Sequence, residues 1–251
     1  MTNSKILAEI VKIRYIIYCL ILLAANLLCF DAMAKDISSL TAEIKSRIQR
    51  DNPDWKASEE SFFLSENQNG LHIMIAGANI KNLSSLKKYN FDSVWLLDTG
   101  ITDLDFLIPS QTRILALRKT KTQPESIDIS AMKGKNIERL ALINVKVKDF
   151  SPLYHSPFRY LTFCDISNVN FEKFTNLRQL EALYLLETPI TDLSFLKKCP
   201  KLRQVILGDI ELPVELFQEK NKLPRSSARA RIGDFASGDR LVQLECGGKH
   251  F

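Results

Sequence analysis

The sequence predicts an α/β solenoid in which short parallel strands stack into one curved sheet on a concave face. Each strand is followed by a return arm with a short 3₁₀ or α turn on the convex side. Three observations predict it. A unit of about 21 residues recurs seven times between residues 71 and 217, and a fixed period of that size marks a stacked-coil architecture. Each unit contains two apolar residues separated by one, the period of a half-buried strand. Each well-formed unit also places Asn or Asp at one phase after the strand, where a side-chain oxygen starts a short helical turn.

The chain opens with residues 1–34, read as a secretory signal peptide. Lys5, Lys12 and Arg14 form a basic start, residues 15–30 are apolar except Asn26, and Ala32-Met33-Ala34 supplies the small residues of a cleavage site. The competing expectation is an N-terminal membrane anchor, although the apolar run is shorter than the ~20 residues of a spanning helix. Export places the mature chain in the periplasm, the cell envelope or outside the cell, with no stable membrane span after cleavage. Cys164, Cys199 and Cys246 then remain. Cys199 with Cys246 is one pairing, and buried free thiols are the other.

Residues 35–70 form an N-terminal helical cap. Ile37, Leu40, Ile44 and Ile48 recur at helical spacing, Asn52-Pro53 ends the helix, and Trp55, Phe62, Phe63 and Leu64 cover the first repeat. In the repeats the second strand residues are Ile75, Leu96, Leu117, Leu142, Phe163, Leu185 and Leu207, spaced by 21, 21, 25, 21, 22 and 22. Two positions earlier stand Ile73, Val94, Leu115, Leu140, Leu161, Leu183 and Val205. The long interval points to an insertion over residues 121–136. Seven positions after the strand marker stand Asn82, Asp103, Asp149, Asn170 and Asp192, which the constant phase identifies as turn caps rather than metal ligands or catalytic acids. Residues 218–251 lose the periodicity and are rich in Gly, Ser and charge, predicting a flexible C-terminal tail, with Leu241-Val242-Gln243-Leu244 as one short strand.

The segments Ile101-Thr102-Asp103-Leu104-Asp105-Phe106-Leu107 and Ile190-Thr191-Asp192-Leu193-Ser194-Phe195-Leu196 give these units their character. The pattern resembles the leucine-rich repeat family, with its L-x-x-L-x-L-x-x-N/C-x-L unit, and specifically the bacterial, internalin-like variety. The chain departs from the family at the usual Asn or Cys, where it carries Ala78, Thr99, Thr120, Val145, Ile166, Thr188 and Ile210. The Asn ladder of the family is therefore absent, and the backbone groups at that bend need other partners.

The residues alternating with the buried pair face outward. Met74, Trp95, Leu97, Ile143, Tyr160, Tyr184, Leu186 and Ile206 form the candidate partner-binding surface, because an apolar, aromatic patch on an exposed sheet usually marks an interaction site. The competing expectation is that the C-terminal segment folds back over the sheet and covers it. Seven strands make that sheet roughly 29 Å across. Beside it Asp98, Asn144, Asp165, Glu187 and Asp209, interrupted by Lys119, form an acidic rim suited to a basic partner or simply solvated.

Other chemistry finds little purchase. The net charge of +5 is spread along the chain without a basic stripe, which argues against nucleic acid. His72, His155 and His250 have no zinc spacing, there is no nucleotide loop or hydrolase elbow, and the tail is too short for a catalytic domain. No catalytic residue, metal or cofactor is expected. The sequence thus predicts an exported, non-catalytic module that recognises a protein partner through its concave face. The alternative is a structural envelope protein that self-associates, as a homo-oligomer, through the same face.

Overall fold

The computed structural model describes residues 37–120, 125–190 and 192–208, together with the backbone of residues 229–234 and 240–245. The leader expected over residues 1–34 lies outside the described residues, as do Asp209, Cys246 and His250. No helix among the described residues is long and apolar enough to cross a membrane.

Among the described residues the one α-helix, α1 (Ser38–Asp51), forms where the sequence places apolar residues at helical spacing, and it buries Ile44 and Ile48 completely. Each burial is worth roughly 2 kcal/mol. The helix stops at Asn52, because Pro53 disfavours helical backbone in the residue before it. Glu43 ties the helix surface to Arg47 and to Lys88.

A ten-stranded sheet follows: β1 (Phe62–Asn67), β2 (Gly70–Ala76), β3 (Phe91–Leu97), β4 (Ile114–Arg118), β5 (Arg139–Ile143), β6 (Tyr160–Cys164), β7 (Ala182–Leu186), β8 (Gln204–Gly208), β9 (Arg229–Asp234) and β10 (Arg240–Glu245). Strands β1 to β8 lie in sequence order, followed by β10 and then β9. Pairing from β2 through β8 is parallel, and each coil contributes one strand in register with the last, as in Trp95 opposite Ala116 and Thr162 opposite Tyr184. Short 3₁₀ turns alternate with these strands. The chain is therefore an α/β protein with a mostly parallel sheet, consistent with a repeat solenoid.

Both apolar strand columns enter one continuous core, together with Ile80, Ile101 and Ile190 from the return arms and Leu86, Leu107, Leu153 and Leu196 from the turns. An aromatic stack runs through its centre: Phe150 against Phe163, Phe163 against Phe171, and Phe171 face to face with Phe195 at 4.5 Å. The capping column behaves as its phase predicts. Asn82, Asp103, Asp149, Asn170 and Asp192 each accept the backbone N–H two residues on, at 2.7–3.1 Å.

Three features differ from expectation. The insertion is far shorter than residues 121–136. Asp128 accepts from the Ser130 N–H at 2.8 Å, Ile127, Ile129 and Met132 are buried, and isolated bridges pair Asp103 with Asp128 and Ile127 with Val147. The return arm is thus back in phase by Ile127, so the four extra residues implied by the 25-residue interval lie between Thr120 and Ile127. Its apolar spacing is concealed because Asp128 stands where the other arms show Asp or Asn four positions earlier. Second, Phe63 does not cover the first coil. It is 55% exposed, because strand alternation sends Phe62 and Leu64 inward and Phe63 outward. Third, the tail expected to be flexible contains a β9–β10 hairpin, whose β10 pairs antiparallel to β8 with Gln243 opposite Ile206. The edge carbonyls and N–H groups of β8 need pairing, and the expected strand at residues 241–244 lies within the strand that supplies it.

Candidate binding face

The residues named from sequence as facing outward lie on the face away from the core, since none joins the main core cluster. Met74, Trp95, Leu97, Tyr160 and Tyr184 are half-buried there. Ile143, Leu186 and Ile206 are not solvent-facing: they are only 1%, 5% and 9% exposed. With Cys164 they make a second apolar cluster, against which Tyr184 packs. The register explains it. Ile143, Cys164 and Leu186 stand directly opposite one another across β5, β6 and β7, so their side chains pack side by side. The predicted patch therefore divides into an aromatic part at the surface and a sealed row beside it. Between Trp95 and Tyr184 the same cross-strand row carries Ala116, Ala141 and Thr162, all buried.

The polar atoms of the surface aromatics are held sideways. The Trp95 indole N–H donates to Ser93 Oγ at 3.2 Å, and the Tyr184 hydroxyl donates to Gln204 Oε1 at 2.8 Å. The Tyr160 hydroxyl donates to Glu181 Oε2 at 3.1 Å, while the Arg139 guanidinium lies 4.4 Å from the centre of the Tyr160 ring. Burial, then the Glu181 contact, pushes the Tyr160 phenol up. Each ring is thus fixed in orientation at little entropic cost to a partner.

The acidic rim has a structural origin. Asp98, Asn144, Asp165 and Glu187 take positive φ of 55°, 53°, 52° and 45°, a left-handed backbone that Asn and Asp tolerate best. Their N–H groups donate to the last carbonyl of the next strand: Asp98 to Arg118, Asn144 to Cys164, Asp165 to Leu186 and Glu187 to Gly208. These bonds, with the Thr188 hydroxyl accepting from the Ile166 N–H at 3.4 Å, pair backbone N–H groups at the bend that follows each of these strands. Asp98 also holds Arg118 at 2.6 Å. Lys119 turns inward, its buried Nζ donating to the Ile101 carbonyl at 3.0 Å, and burial pulls its pKa down.

One column escaped the sequence reading. Four residues before the strand marker in β3 to β8 stand Asp92, Arg113, Glu138, Arg159, Glu181 and Arg203, alternating in sign from coil to coil. Arg113 grips the buried Asp92 through two bonds of 2.6 and 3.0 Å and reaches Glu138 at 3.4 Å. Arg159 binds Glu181 at 2.7 and 2.9 Å. The bond to Asp92 raises Arg113, and Arg159 and Tyr160 hold Glu181 below the ordinary carboxylate range despite its burial. His72 lies 3.8 Å from Asp92, yet burial outweighs that carboxylate and lowers the imidazole pKa. Tabulating the residue four before each strand marker would have found the alternation.

Cys164 and Cys199 are buried free thiols, and burial pushes Cys199 up to about 12. At pH 8 roughly one Cys199 in 10⁴ is then a thiolate, the nucleophilic form. In a Cys246→Ser chain starting at residue 35, a chromogenic disulfide reagent is expected to titrate neither thiol within minutes in buffer and both in denaturant. Rapid labelling of Cys199 in buffer would contradict its burial. Among the described residues no group of three or more His, Cys, Asp or Glu is placed to hold a metal ion. His155 Nδ1 pairs with Thr175 Oγ1 on the following coil at 2.8 Å. No family model matches this sequence, and no curated protein matches it.

Proposed function

We propose that the chain is an exported, non-catalytic binding module of the bacterial leucine-rich repeat type, internalin-like in its units, which recognises a protein partner through the outer face of its sheet. The observation that carries this reading is the pair Trp95 and Tyr184. Both are half-buried on the face away from the core, and both are fixed by sideways hydrogen bonds. Large, rigid aromatic side chains of this kind are common anchors of protein interfaces. The basic start, apolar run and Ala32-Met33-Ala34 site support export to the periplasm, envelope or exterior after cleavage.

The test is a pull-down from envelope and extracellular fractions with the chain from residue 35, beside its Trp95→Ala/Tyr184→Ala counterpart. The double variant is expected to bind the recovered partner roughly 30-fold more weakly, with its thermal midpoint nearly unchanged. Equal affinity in the two chains would place the interface elsewhere.

A further inference from the structure

The charges around the outer face are mostly answered from within. Arg113 is held by Asp92 and Glu138, Arg118 by Asp98, and Arg159 by Glu181. The rim acids occupy positions that the left-handed bend selects, so their sign says little about a partner. Arg139 is the exception. It starts β5 on the outer face, on the same side as Ala141, is half-buried, and makes no ion pair among the described residues. Its guanidinium rests on the Tyr160 ring at 4.4 Å. A guanidinium over an aromatic ring is drawn to it by its charge and still carries five N–H donors, whose planar fork matches a carboxylate with two parallel bonds.

We infer that the outer face receives an extended peptide segment carrying one carboxylate for Arg139, flanked on each side by an apolar side chain that reaches Trp95 or Tyr184. This deepens the proposed function and rests on it. The register supplies the spacing. Arg139 lies in one cross-strand row with Ser93, Ile114, Tyr160 and Ala182, whereas Trp95 and Tyr184 lie one row further along, each two strands from β5 in opposite directions. At the usual strand separation and rise both aromatics are ~12 Å from Arg139, three to four residues of extended chain. The segment is therefore expected to read apolar, two or three residues, Asp or Glu, two or three residues, apolar. Charge complementarity favours an acidic partner here, the reverse of what the rim alone suggests.

A random dodecapeptide library on phage, panned against the full 251-residue chain in mild detergent, tests this. The enriched peptides are synthesised with their acid intact and with that acid changed to its amide. Affinities are then measured on wild type, Arg139→Gln and Trp95→Ala/Tyr184→Ala, with circular dichroism melts to verify folding. The inference predicts acid-containing peptides that lose at least ten-fold on acid-to-amide change with wild type, and less than two-fold with Arg139→Gln. A merely structural role for Arg139 would weaken acid and amide peptides alike, and that result overturns the inference. Peptides that need Trp95 and Tyr184 but no acid overturn the role of Arg139 and leave the face as the binding surface. Peptides indifferent to the aromatic double variant, or no enrichment, overturn both.

Discussion

Phe163→Ala is expected to destabilise the fold by about 4 kcal/mol, the cost of removing a fully buried aromatic side chain and leaving a cavity. Phe163 is completely buried, with ring contacts to Phe150 at 6.1 Å and to Phe171 at 5.7 Å. Phe171 in turn stacks on Phe195 and contacts Phe174. The vacancy therefore opens where three coils meet, and rings fixed by neighbours on both sides cannot collapse into it. Urea unfolding followed by far-ultraviolet circular dichroism measures the loss, with Phe163→Leu expected to recover about half by refilling part of the volume. A loss for the alanine variant below about 1 kcal/mol would mean that this stack is not the centre of the core.

Asn52→Ala should cost about 3 kcal/mol through a different mechanism, the orphaning of buried backbone groups. Asn52 is nearly inaccessible, and its one amide joins helix α1 to the first return arm. Its Nδ2 donates to the Ile48 and Asn82 carbonyls at 3.0 and 2.7 Å, and its Oδ1 accepts from the N–H groups of Lys81 and Asn82 at 2.7 and 3.0 Å. The Trp55 indole reinforces the same junction by donating to the Ala76 carbonyl at 3.1 Å. Alanine removes all four Asn52 bonds, while Asn52→Asp keeps an acceptor and loses both donors. The order of stability expected is wild type, then Asp, then Ala. Hydrogen exchange at Lys81 and Asn82 gives a local readout: both amides should exchange faster in the alanine variant, ahead of global unfolding. Unchanged protection there would contradict the assigned role.

The parts of the fold readable from sequence are those where one physical demand repeats. Ile75, Leu96 and Leu117 must all face one core, and Asn82, Asp103 and Asp149 must all start a turn, so period and phase expose them. Single events were harder to read. The third return arm was hidden because four added residues shift Asp128 out of column. The hairpin at β9 and β10 pairs with β8 through backbone groups, which composition does not encode. The candidate face was legible as a set of outward positions, and Trp95, Tyr160 and Tyr184 stand near the surface. Outward is not the same as accessible, however. Ile143 and Leu186 flank Cys164 on adjacent strands and pack with it, a cross-strand contact that appears only once register is known. The acidic rim has a second, local cause that the sequence does not display, since the left-handed backbone at Asp98 and Asp165 itself favours Asp.

The alternation of Asp92, Arg113, Glu138, Arg159, Glu181 and Arg203 gives this array a parity. Loss or duplication of a single coil within those rungs would set Arg beside Arg or acid beside acid at the join, a repulsive contact between adjacent strands. Gain or loss of two coils together restores opposite signs. Two coils together, rather than one, are therefore the smallest unit whose removal or insertion within these rungs keeps unlike charges side by side.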